Sequence, residues 1–286
     1  MPRLISAILA IFFIAAFPTL ACPSSAIAKR WFGVGNPAEG EPATINAWPV
    51  VKDSESAYDL EYGNLQLLRY CWTDKDSYKT LDDLLEAAIG KWHIATSQSN
   101  LRIVPASGGD PPICGQGGVA IDSLYITDIT NSDEEENSAG YTTPGYNAIA
   151  RDRNIAGRHV LKFRRSGDDN TDAVILAHEI GHAIGLDHEF ARPDAADHVF
   201  FYPENLIDYD EVKAKIDASD SGDTIEMACK SRTIALKYGF SAYAYLPPSD
   251  QFGSIGQWAW SKRYDHESIM NYNSFDGGNC YRLYSN

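Results

Sequence analysis

The sequence predicts an α+β fold, on three observations. Short apolar runs of strand length recur through the first two thirds of the chain, and stretches of helical period separate them. After Glu189 the texture turns irregular, with only short helical stretches. LQLLRYCW, residues 65–72, suits a buried strand. TLDDLLEAAIGKWHIA sets Leu81, Leu84, Leu85, Ala88 and Trp92 on one stripe, which predicts a helix capped by Thr80 or a neighbour. LRIVP (101–105), GVAIDSLYITDI (118–129) and HVLKF (159–163) read as further strands. NSDEEENSAG, 131–140, is a charged, solvated loop. GDDNTDAVILAHEIGHAIG is a helix: its Asp/Asn/Thr cluster supplies a cap and puts negative charge at the positive end of the dipole, and Gly185 is placed to end it in a left-handed conformation. Beyond Glu189, DYDEVKAKI and TIEMACKSRTIALKYG read as two helices, the second closed by Gly239. DASDSGDTIE, 217–226, has serines where a calcium loop needs carboxylates, and no Glu at its twelfth position.

The chain's 286 residues are enough for a substantial core, and 44% hydrophobic with 22% charged residues is ordinary for a globular protein. A formal charge of −15 argues against nucleic acid, whose phosphates require a basic face. At the N-terminus Arg3 precedes an apolar run from Leu4 to Phe17, followed by Pro18 and small residues, the pattern of a secretory signal. As a helix that run would rise only ~21 Å, short of a hydrocarbon core of ~30 Å. No other run is long enough to span a bilayer, so stable membrane insertion is not expected. Residues 1–28 are thus expected to be a signal peptide cut after Ala21, Ala26 or Ala28, and the protein to be secreted. Lys29-Arg30 is a dibasic pair open to a processing protease. Residues 29–60, rich in Gly, Pro and polar residues, read as a leader or propeptide-like segment. Without Cys22, four cysteines remain: Cys71, Cys114, Cys229 and Cys280. Two disulfides are expected, with all three connectivities open.

The chemistry is concentrated in HEIGHAIGLDHEFARPD, from His178 to Asp194. Helical positions four apart stack about 6 Å apart on one face, so His178 and His182 can aim their imidazoles at one metal ion. Glu179 sits beside the first ligand, where its carboxylate can reach the attacking water without ligating the metal. This is the H-E-x-x-H pattern of a zinc hydrolase. Gly185 lets the backbone leave the helix sharply, so His188 can return as third ligand. Asp187 lies one place too early for the H-E-x-x-H-x-x-G-x-x-H spacing, which His188 fits. Downstream, YDHESIMNYNSF holds Met270, a candidate apolar floor beneath the three imidazoles.

Together, HEIGHAIGLDHEFARPD and SIMNY resemble the astacin family of metzincin endopeptidases. Glu189, Arg192, Asp194, Tyr272 and the following DHVFFYPENLIDY match its pattern in order, and the resemblance runs from about residue 62 to the C-terminus. It implies a metzincin-type zinc protease fold, a twisted mixed sheet with two long helices plus an irregular C-terminal subdomain. The catalytic domain would be 61–286, with an N-subdomain over 61–188 and a C-subdomain over 189–286. It implies one Zn2+ per chain on His178, His182 and His188, and Glu179 as general base and then general acid. Tyr272 would donate to the oxyanion, while Met270 and Glu189 would give structural support. Protein or peptide substrates follow, cleaved by metal-activated water. Leu186 and Asn271 stand where the family usually has Phe and His, and the family's F-x-G-D latency motif is missing from 31–60. His93, His159, His198 and His266 match no ligand position. The alternative is a catalytically silent, secreted zinc-binding interaction protein.

Overall fold

The computed structural model describes residues 48, 50–51, 65–97, 99, 101–133, 139–146, 155–247, 264–271 and 281–283. The predicted signal peptide, Lys29-Arg30, Tyr272 and Cys280 lie outside them. Six strands form one mixed sheet: β1 (Val50–Val51), β2 (Leu65–Trp72), β3 (Leu101–Pro105), β4 (Leu124–Asp128), β5 (Gly140–Thr142) and β6 (Val160–Phe163). β2 pairs in parallel with β3 and β4, and β4 in parallel with β6. β1 joins β2 and β5 joins β6 antiparallel, so β5 ends the path β1-β2-β4-β6-β5. The α+β expectation and the mixed sheet hold.

Two long helices, α1 (Lys75–Lys91) and α3 (Asp169–Ile184), pack on this sheet. Their apolar faces meet in one core with Trp72, Leu124, Ile126, Leu161 and Phe163 of the strands. Each such side chain contributes roughly 1.5–3 kcal/mol on full burial. The cap of α1 is a correction: Asp74, six residues before Thr80, accepts from Asp76 N (2.9 Å) and Ser77 N (2.7 Å). Its first turns are polar, so a reading by apolar period starts too late. A short helix α2 (His93–Ser97) follows. The strand predicted over 118–129 is also shorter, because residues 117–122 form turns in which Gly118 has φ 93°. Cys71 is bonded to Cys114, whereas among the described residues Cys229 is a free thiol, which burial pushes up to about 11.

A second core gathers residues from Phe190 to Tyr264. It draws on α4 (Tyr209–Asp217), α5 (Ile225–Ala228), α6 (Arg232–Tyr238) and Val199 of β7 (Val199–Phe201), a strand that pairs antiparallel with β8 (Tyr281–Leu283). The single helix predicted over 224–239 is in fact two. Ser231 turns its hydroxyl to Ile234 N (3.4 Å) and starts α6 afresh, and Gly239 closes it at φ 69°. The first helix has its own cap in Thr224.

Candidate metal centre and active site

α3 brings the first two imidazoles into place. Asp168 accepts from Asn170 N (3.0 Å) and Thr171 N (3.3 Å), and fully buried Asp172 accepts from Ser166 N and Ser166 Oγ. These acceptors fix the helix start and favour its dipole. At the other end Gly185 has φ 109°, and Gly181 O takes Leu186 N at 2.9 Å, a Schellman-type ending. The chain reverses there and His188 folds back.

His178, His182 and His188 converge. His188 Nε2 lies 3.2 Å from His182 Nε2 and 3.1 Å from His178 Nε2. A tetrahedral centre with Zn–N of ~2.0–2.1 Å needs N···N of about 3.3 Å, so the spacing fits. The outer ring nitrogens decide the tautomers. His178 Nδ1 faces the Ile269 carbonyl at 2.8 Å and His182 Nδ1 faces the Leu186 carbonyl at 3.0 Å. Carbonyls only accept, so both Nδ1 atoms carry the proton and both Nε2 atoms present lone pairs. A neutral His188 has at most one proton to offer two such neighbours. A cation satisfies all three, and among the described residues this is the group able to hold one. Asp187 is not in it; its carboxylate accepts from His188 N.

Met270 is 3% exposed and packs against α3 at Gly181. Gly181, between His178 and His182, makes room for Met270: a Cβ there would collide with Met270 Sδ and lie 3.0 Å from Trp92, so those side chains would have to move. The same turn supplies the Ile269 carbonyl for His178, and Met270 O accepts from Glu189 N at 3.1 Å. Glu189 Oε1 in turn accepts from Arg192 Nη1 (2.6 Å) and Asp265 N (3.2 Å). Arg192 also forks onto both oxygens of Asp194 at 2.9 Å and lies over the Tyr264 ring. Glu189 thus clasps the third-ligand loop to the methionine turn.

Glu179 is nearly buried. Thr142 Oγ1 donates to its Oε2 at 2.6 Å, and a Cβ at Gly140 would meet its side chain at 2.7–2.9 Å. The edge strand β5 therefore makes a slot for this carboxylate. Neither Gly140 nor Thr142 was found from sequence, since no motif joins positions 37 apart. Trp92, which donates to Ala177 O at 2.9 Å, enters the sequence pattern only as part of an apolar stripe. Among the other histidines, His159 is enclosed by Trp48 and Tyr146, and burial lowers it to about 4. His198 stacks on Tyr264.

Residues 159–242 match the family model for the astacin peptidases, a segment that holds α3 and all three histidines. Solved structures similar to the chain include high choriolytic enzyme 1, a hatching enzyme zinc-protease from Oryzias latipes (Medaka fish). It has TM-score 0.43 and 18% identity, over 84% of this chain and 87% of that one. Myroilysin is also similar, with TM-score 0.40 and 16% identity, over 72% and 77% of the two chains. No curated protein sequence matches at comparable significance.

Proposed function

We propose that this chain is an astacin-type zinc metalloendopeptidase, on the segment 159–242 that matches the family and holds the three histidines, and that it is a secreted enzyme cleaving extracellular proteins with one zinc per chain. The observation that carries this is the convergence of three Nε2 lone pairs beside a buried carboxylate. Bound zinc supplies Lewis acidity, which acidifies water and polarises a carbonyl. His178, His182 and His188 hold it, with the Ile269 and Leu186 carbonyls keeping the first two in the ligating tautomer. Glu179 takes the proton of the attacking water and delivers it to the amide nitrogen. The C–N bond breaks, the acyl carbon keeps the water's oxygen, and the amine leaves with that proton. Thr142, by donating to Oε2, leaves Oε1 to do the work. Tyr272, outside the described residues, is assigned to donate to the developing oxyanion.

β5 is the end strand of the sheet path and lies beside Glu179, so an extended peptide can be laid along it by strand addition. Export is supported by the N-terminal apolar run and by the Cys71–Cys114 disulfide, which persists in oxidising compartments. No helix of the described residues is long and apolar enough to cross a membrane. The division of 61–286 into subdomains at 188/189 is supported by the two cores, one ending at Ala183 and the other starting at Phe190.

The decisive experiment is Glu179→Gln, which keeps shape and ligands but removes the base. Zinc content stays at one per chain while casein cleavage falls by ~100-fold or more. A Gln variant that cleaves casein at the wild-type rate, or a wild-type protein whose cleavage a chelator leaves untouched, removes the proposal.

A further inference from the structure

Trp48 stands within the stretch whose composition reads as a removable leader, yet it is 3% exposed. Its ring meets Tyr146 edge-on (centroids 5.4 Å apart) and lies against His159 (4.9 Å). Its Nε1–H donates to the Ala183 carbonyl at 2.7 Å, across 135 residues. Ala183 follows the ligand His182 and belongs to the last turn of α3, where carbonyls have no donor within the helix. The two preceding carbonyls are served from nearby: Gly181 O by Gly185 N and Leu186 N, His182 O by Gly185 N and Gly145 N. The indole does the same for Ala183, a fully buried residue. Two residues on, Val50 and Val51 pair with Gln66 and Leu65, so this cap is tied to the sheet by the chain itself.

We infer that the mature protein begins at or before Trp48, and that Trp48 is a positioning residue for the metal-bearing helix. A cut at Lys29-Arg30 leaves the indole in place, whereas a cut within 49–60 removes it and leaves a buried carbonyl at the ligand end of α3 without that donor. Such a loss weakens both the fold and the geometry of His182. This rests on the metal-site reading of α3 and is independent of peptidase activity.

The test begins with N-terminal sequencing of the folded, zinc-loaded protein secreted from the full-length gene. The expected first residue is 48 or earlier, and a folded zinc protein starting at 49 or beyond overturns the inference. In the full chain, Trp48→Phe keeps an aromatic ring but not the N–H. It should lower the melting temperature of the chelated protein by several degrees and raise the zinc dissociation constant about tenfold. A folded Phe variant with unchanged zinc affinity shows the indole to be mere packing and overturns the positioning role. Should that variant not fold, the sequencing still decides the boundary. A wild type that binds zinc but cleaves no casein sinks the peptidase proposal and leaves this one standing.

Discussion

Between Trp48 and Ala183, long elements bury whole faces: α1 and α3, of 17 and 16 residues, lie on a six-stranded sheet. Between Phe190 and Tyr264, helices of nine, four and seven residues are held by aromatic stacking and by polar clasps such as Glu189–Arg192–Asp194. The candidate metal site draws on both. The first region sets His178 and His182 on a rigid helix. The second holds the loop after Gly185 through the Glu189–Arg192–Asp194 clasp, and the turn beyond Tyr264 supplies the Ile269 carbonyl. Damage to the second region should therefore register at the metal before it registers in the sheet.

The comparison can be broken most directly at His188. Replacing it with alanine should reduce zinc affinity by more than ~100-fold, beyond the usual effect of losing an outer-sphere partner, while leaving the first core folded. Zinc titration alongside circular dichroism checks both halves. If affinity is retained, the third ligand is elsewhere.

Acid sharpens the contrast from the other side, because His159 lies in the first region. Burial lowers its folded pKa to about 4 from an ordinary value of 6.5, so between those values the unfolded chain binds more protons. Stability is full above about 6.5, falls as pH drops toward 4, and the loss levels off below. The size of the loss is ~3 kcal/mol. Melting curves of chelated protein against pH, wild type minus His159→Gln, isolate this contribution; parallel curves contradict it.

Arg192→Leu attacks the clasp. The guanidinium is 7% exposed and Glu189 18%, but Asp194 is 32%, so the loss should be ~2–3 kcal/mol, below the full cost of breaking a buried pair. Zinc should leave the variant more readily, which denaturant titration with and without metal will show. The smallest effect is expected at Thr142→Val, which keeps the shape of the side chain and removes one hydrogen bond to Glu179. A kcat reduced ~10-fold with KM, zinc content and melting temperature held is the expected pattern. Thr142→Ser should restore most of it, and equal kcat in the Val variant would rule out a positioning role.

Much of the first region was legible in the sequence. Strand β3 falls where its apolar run lies, and α3 runs between the Asp cluster and Gly185 because caps and helical period are local signals. The cap of α1 was missed for the same reason in reverse, since a polar first turn carries no period. In the second region Ser231 was hidden inside a helical pattern, and only packing of short segments against a shared aromatic core revealed the break.

The sequence by itself determined the pattern of the candidate metal site: two imidazoles one helical turn apart, a carboxylate beside the first, and a glycine that lets a third histidine return. Those relations span few residues and follow from the helix repeat and from glycine's access to positive φ. Only the tertiary structure decided what holds the groups in place: the Ile269 carbonyl on His178, Thr142 and Gly140 around Glu179, and Trp48 on the end of α3. Each is a contact between a side chain and a partner far along the chain. Such contacts are fixed by how sheet, helix and turn pack together, a relation that no local pattern of residues encodes.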